Sequence, residues 1–167
     1  MATVEMSFTP LPAHVRTARL VATAVARRSG VDEALLDEVR LAVGEACSRA
    51  VEAHQEFCPR EPVRVALTGA NGRFEVVVTD HVAAGNGTPA GAAAAQPGSA
   101  ADGTGQPAGG GASEAPRPPP VGPAELGLAV IEGLADDVDI ARTKAGVTIR
   151  MSWPTAGPGI ASRGERA

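Results

Sequence analysis

The order of elements predicts an α+β fold: a two-layer sandwich of a mixed, largely antiparallel sheet with its helices on one face. Three observations predict it. Two early stretches carry apolar residues at helical spacing, and a third such stretch lies near the end of the chain. Two pairs of β-rich runs are each joined by a short turn, which makes hairpins. Between these blocks lies a long run without any Val, Leu, Ile, Phe or Trp, which adds no element of its own. Hairpins with helices grouped apart point to layers rather than to alternating β-α-β units.

The elements follow in order. Residues 3–8 (TVEMSF) alternate loosely and predict a strand. Leu11, Val15, Ala18, Ala22 and Val25 then recur at spacings of four and three, a helical stripe. Pro10 and Pro12 mark its start, and Gly30 is a natural stop. A second helix is expected from about Asp32, a good N-cap, to His54, with Leu35, Val39, Ala42, Val43, Ala46 and Ala50 inward. Residues 62–69 and 73–80 read as two strands around Ala70-Asn71-Gly72, a hairpin turn. After the apolar-free run, residues 124–137 read as a helix with Leu128, Ile131 and Leu134 on one face. Strands at 138–143 and 147–153 close the series around Lys144-Ala145-Gly146.

The length of 167 residues suits one domain, expected over 1–154. Residues 84–122 read as a disordered low-complexity insertion, because small and polar side chains cannot offset the entropy of ordering themselves. A glycine-rich chain of that length spans roughly 35 Å root-mean-square, so its two ends can still meet in one domain. Residues 155–167 read as a disordered tail. The net charge of −4 gives the whole molecule no electrostatic match to nucleic acid. Cys47 and Cys58 fit no metal spacing and no disulfide framework; they read as a small core residue and a turn residue. The first residues lack the pattern of a signal peptide, and no run is apolar enough to span a membrane. The expected compartment is the cytoplasm, with no membrane partner.

Several local sequences, in this order, resemble the histidine-kinase-like (GHKL) ATPases. LDEVRLAVGEACSRAVEAH (36–54) is similar to that family's first nucleotide-site helix, in which a Glu stands four residues before an Asn. VVVTD (76–80) is similar to the strand that ends on the adenine-binding Asp. ELGLAVIEGLADDVDI (125–140) is similar to the glycine-bearing helix start after the ATP lid, and GVTIRMSWP (146–154) to the closing strand. The short first strand and opening helix resemble the anti-sigma-factor branch, which includes the RsbW and SpoIIAB proteins. The resemblance implies a small regulatory protein that binds a sigma factor, an anti-anti-sigma partner, or both. It implies ATP and Mg²⁺ as ligands, protein-serine kinase chemistry, and in many relatives a homodimer.

Carried over residue by residue, the resemblance makes Glu45 the catalytic base, a role that needs an ionised carboxylate near the attacking hydroxyl. Read alone, Glu45 is an ordinary solvated helix glutamate. Arg49 stands where the family has its Mg²⁺-holding Asn, on the same helix face as Glu45. A guanidinium has no acceptor atom and keeps its charge, so it cannot ligate a metal. It can instead pair with Glu45 and plug the pocket, bind phosphate in place of the metal, or form an exposed helical ion pair. Asp80 takes the adenine-binding position, yet the glycines expected after it are Val82 and Ala84. Gly127 and Leu128 match the second glycine motif, with Glu125 in place of its first glycine. Thr148 matches a hydroxyl position on the last strand, and reads equally well as a β-branched strand residue. Arg16, Arg19, Thr23 and Arg27 form a mostly basic stripe on the first helix, with Arg19 at a partner-surface position of the anti-sigma branch. No metal ligands are assigned. These departures predict weakened or lost ATP binding in an anti-sigma-like regulator. The alternative is an active kinase of an anti-anti-sigma factor, and a third reading is a scaffold that holds another small ligand in the old pocket.

Overall fold

Five strands and three α-helices are arranged in two layers in the computed structural model, which describes residues 2–82 and 123–156, with backbone alone for residues 2 and 123–125. The elements are β1 (Ala2–Phe8), α1 (Pro12–Ser29), α2 (Leu36–Phe57), β2 (Val63–Ala70), β3 (Arg73–Thr79), α3 (Pro123–Leu134), β4 (Asp137–Thr143) and β5 (Gly146–Pro154). The sheet order is β1-β2-β3-β5-β4. All four pairings are antiparallel, so the sheet is not mixed among the described residues. The expected insertion at 84–122 lies outside the described residues.

The local chemistry explains the boundaries. α1 has proline in its first turn, where a missing N–H costs nothing. It ends at Gly30 with φ +88°, and the N–H groups of Gly30 and Val31 return to Arg27 and Ala26. Asp32 does cap, but it caps a 3-10 turn at Glu33–Leu35 that leads into α2, accepting from the Ala34 N–H at 2.8 Å. α2 runs three residues past His54. Asn71 and Gly72, both at positive φ, form the two-residue turn between β2 and β3. Thr155 and Ala156, expected in the disordered tail, are held instead. Thr155 bridges to Val31, and the Ala156 N–H donates to the Gly30 carbonyl at 2.8 Å.

The core lies between the sheet and α1–α2–α3. Val65, Leu67, Phe74, Val76, Met151 and Trp153 project from the sheet. Alternation along each strand sends their neighbours to the opposite, helix-free face. α1 meets α2 through Ala18, Ala22, Ala26, Ala42 and Ala46, all at most 1% exposed. Such small side chains permit a close helix approach. α3 docks with larger ones, Leu128 and Ile131, and the Trp153 indole N–H donates to the Leu134 carbonyl at 3.0 Å.

Candidate functional site

The middle of α2 presents Glu45 and Arg49 to α3. Four residues apart on one helix face, they meet the same residue of the facing helix, Gly127. The Glu45 carboxylate lies directly against Gly127, and the Arg49 Cδ is 3.3 Å from where a β-carbon of Gly127 would stand. Glycine therefore makes room for this helix contact and serves no turn. Nε of Arg49 is buried and has no hydrogen-bond partner among the described residues. Burial, and then the charge of Arg142, hold the Arg49 guanidinium below its ordinary value, while Asp80, Glu45 and Glu52 act in the opposite direction. Among the described residues no ion pair joins Arg49 to Glu45.

Asp80 follows β3 and is buried. Its Oδ1 accepts from the N–H groups of Val82 and Val147, each at 3.0 Å, and its own N–H donates to the Val147 carbonyl at 2.9 Å. One carboxylate oxygen thus stitches the end of β3 to the start of β5. Gly146, at φ +141°, lets β5 start there, because a β-carbon would collide with the Asp80 carbonyl. Val82, at a position where the family has glycine, is buried. His54 is fully buried near the same place. Its Nε2 accepts from the His81 N–H at 2.9 Å, which leaves the proton on Nδ1 to donate to the Glu61 carbonyl at 2.8 Å. A neutral imidazole therefore ties the C-terminal part of α2 to the residues just after Asp80.

The structure brings Glu45, Arg49 and Gly127 together, with Asp80 near enough for its charge to act on Arg49. It separates two other expected residues from them. Leu128 points into the core and is 8% exposed. Thr148 pairs with Thr79 and Ala141, while Ile149 and Met151 carry the buried face of β5. Strand alternation therefore places Thr148 on the helix-free face of the sheet, opposite α2 and α3. Glu125 lies in the first turn of α3.

Arg142 is the site residue that the sequence reading did not single out. It pairs with Val147, and shares the helix-side face of β4 with Val138 and Ile140. That period-two alternation is present in the sequence of β4, where Val138 and Ile140 mark the inner face and Arg142 continues it.

A second constellation lies between α1 and α2. Arg19 is laid across Gly44, with its Nε buried and without a partner among the described residues. Arg16 is exposed. Both border a shallow groove of about 190 Å³ with Pro12, Val15, Ser48 and Glu52. Under Arg19, the Cys47 thiol is pushed up to about 12 by burial, against the pull of the Arg19 charge. Cys58 is a partly buried C-cap.

The donor set beside α3 does not suit magnesium. The position that would offer a side-chain oxygen carries a guanidinium, and a second guanidinium acts on it. Among the described residues, no group of three or more His, Cys, Asp or Glu is placed to hold a metal. No described helix is long and apolar enough to cross a membrane.

The search of curated proteins gives no match. Among solved structures, the chain is similar to the RsbU and RsbW domains of Rv1364c from Mycobacterium tuberculosis, with a TM-score of 0.60 at 16% identity. That likeness covers 95% of this chain and 34% of the other, so this chain spans about a third of its length. At that identity it speaks for the fold alone. The histidine kinase-like ATPase domain family matches residues 8–153, which run from the end of β1 through α1 to all but the last residue of β5. With that span matched and the Glu45, Asp80 and Gly127 positions occupied in the expected fold, the chain belongs to the histidine kinase-like ATPase domain family.

Proposed function

We propose that this chain is an anti-sigma-type regulatory module, acting by binding a protein partner, with weakened Mg·ATP binding. The observation that carries the second half is Arg49. It occupies the metal-ligand position, packs its stem on Gly127 and buries Nε without a partner. Phosphoryl transfer depends on metal ions to neutralise charge on the phosphates, and Arg49 repels one. The Asp80 oxygen committed to two backbone N–H groups supports the same reading, because it leaves less of that carboxylate for a base. The partner half rests on the family, on the fold likeness to a structure with an RsbW domain, and on the Arg16–Arg19 groove. The partner chemistry that fits is a sigma factor or an anti-anti-sigma protein, in the cytoplasm.

The test is calorimetry of the full chain with ATP in magnesium. Binding weaker than about 100 μM is expected, and micromolar magnesium-dependent binding would sink the reading. Pairwise binding assays against purified sigma factors and anti-anti-sigma proteins of the source cell test the partner half. Arg16→Glu and Arg19→Glu should each weaken the complex. A second reading, an active serine kinase, is favoured by Glu45, which stays at the base position against Gly127. It requires phosphate transfer from ATP to an anti-anti-sigma partner, abolished by Glu45→Ala. We also read 84–122 as an insertion in one domain, since β3 and β5 on its two sides pair directly from Arg73 to Thr79.

A further inference from the structure

We propose that His54 is an acid-released tie. As a neutral imidazole it holds the chain just past Asp80 against the end of α2, and a second proton on the ring lets that stretch go. The device needs neither a partner nor a nucleotide, so it stands or falls apart from the proposed function.

Three observations carry it. First, His54 lies on the core face of α2 and is fully buried, so water does not reach its ring. Second, both ring nitrogens are engaged, each in a fixed role. Nδ1 is 2.8 Å from the Glu61 carbonyl, which only accepts, and Nε2 is 2.9 Å from the His81 N–H, which only donates. One tautomer alone satisfies both, the neutral ring with its proton on Nδ1. Third, both bonds leave α2. One reaches the turn ahead of β2, 7 residues on, and the other reaches the exit of β3, 27 residues on. Among the described residues, His81 and Val82 are held by this bond and by the Val82 N–H, which donates to Asp80 Oδ1 at 3.0 Å.

A second proton turns Nε2 into a donor that faces another donor. The two cannot bond, and the His81 N–H is left unmet. Burial makes the charged ring costly as well, since its buried neighbours on α2, Ala50 and Val51, offer no partner. Few titratable groups surround it. The exit of β3 brings Asp80, whose charge favours the second proton, and the His81 ring, 5.9 Å away, which opposes it when itself charged. The turn after α2 brings the partly buried Cys58 thiol and the exposed Glu61 carboxylate. The protonated ring therefore gives up His81. That removes the anchor beside Val82 and loosens one of the two bonds to Asp80 Oδ1, while the Val147 bond remains. The sheet itself is untouched, because β3 and β5 pair up to Thr79 and Thr148 without this contact. The sign is fixed: the tie is present in the neutral form and is lost as pH falls. Imidazole is the side chain whose ordinary charge change lies between about pH 5 and 8, so mild acid suffices to probe it.

The test is nuclear magnetic resonance of the full chain from about pH 8 to pH 5. Nitrogen shifts of the His54 ring report which nitrogen carries the proton. Hydrogen exchange, corrected for its intrinsic pH dependence, reports the His81 amide. At high pH the proton should sit on Nδ1 alone. As the ring takes its second proton, His81 should lose about tenfold or more of its protection, while amides of the β3–β5 ladder keep theirs. His54→Gln offers a carbonyl to the same N–H and takes no proton, so it should keep His81 protected throughout. His81→Gln retains the backbone N–H and should retain the acid release. A proton on Nε2 at high pH, a ring that stays neutral until the whole chain unfolds, or acid release that persists in His54→Gln overturns the proposal. If His54→Gln loses its native circular dichroism, two midpoints in the parent chain decide. Ring protonation and loss of His81 protection at the same pH support the tie, and their separation overturns it.

Discussion

α2 is flanked by two contacts that use the same parts to different ends. Against α1, Arg19 lies across Gly44. Against α3, Glu45 and Arg49 lie across Gly127. Each contact buries an arginine Nε without a partner. The difference is in what surrounds the guanidinium. Arg19 covers an alanine-lined seam and a buried thiol. Arg49 faces a second arginine and three carboxylates. The first is a lid over close packing; the second is a charged cluster gathered where α3 begins. A glycine on the facing helix makes room for a long side chain in both, so the glycine alone does not reveal which kind of contact it serves.

The charged cluster depends on backbone that the seam does not need, and that gives the largest expected effect. Gly146→Ala sets a methyl group against the Asp80 carbonyl and holds alanine at φ +141°. Neither can relax through a flexible side chain. We expect a loss of about 3 kcal/mol in chemical denaturation. An alanine variant of normal stability would show that the β3–β5 junction is softer than its hydrogen bonds imply.

The two helix glycines should then separate the contacts. Alanine gains about 1 kcal/mol of helix propensity at either place. At Gly127 the new methyl meets the Glu45 carboxyl carbon at 3.2 Å and the Arg49 Cδ at 3.3 Å, in the middle of two packed side chains. We expect Gly127→Ala to be net destabilising by about 1 kcal/mol. At Gly44 the obstacle is the outer part of Arg19 alone, which can swing into solvent. Gly44→Ala should stay within about 0.5 kcal/mol of the parent while weakening partner binding. Equal and opposite results from denaturation of the two variants would reverse the comparison.

These contacts also mark what the sequence made legible. The stripe from Leu11 to Val25 and the alternation around Asn71-Gly72 are local patterns, and the elements formed where they stood. The placement of Glu45 and Arg49 on one face of α2 followed from helix geometry. The contact of both with Gly127 spans about 80 residues of chain, so it entered through the family pattern instead. Arg142 and Thr148 show the opposite failure. Strand alternation alone puts the first with the site and the second on the other face, yet motif position put Thr148 first. The bonds of His54 to Glu61 and His81 had no local signal, and Gly146 was legible as a turn glycine but not as the close approach that the Asp80 carbonyl demands. They arise from backbone groups brought close by the sheet register.

Thiol chemistry probes the seam with the smallest perturbation, since nothing in the fold has to be changed. Only the thiolate reacts, and Cys47 is fully buried with its thiol pushed up to about 12. Cys58 is only partly buried, though burial and then Glu61 and Asp80 also raise it. An alkylating reagent near pH 8 should label Cys58 first, and Cys47 only as α1 lifts from α2. Gly44→Ala should speed Cys47 labelling several-fold by releasing Arg19, whereas Gly127→Ala should leave it unchanged if the two contacts open independently. The raised thiol also fixes a sign. Its contribution to stability is complete below the ordinary value of about 9 and is lost as pH rises toward about 12, because the unfolded chain gives up the proton first. Cys47→Ala should flatten that alkaline decline. If Gly127→Ala speeds Cys47 labelling as much as Gly44→Ala does, α2 moves as one body with both neighbours, and the contacts differ in charge but not in mechanics.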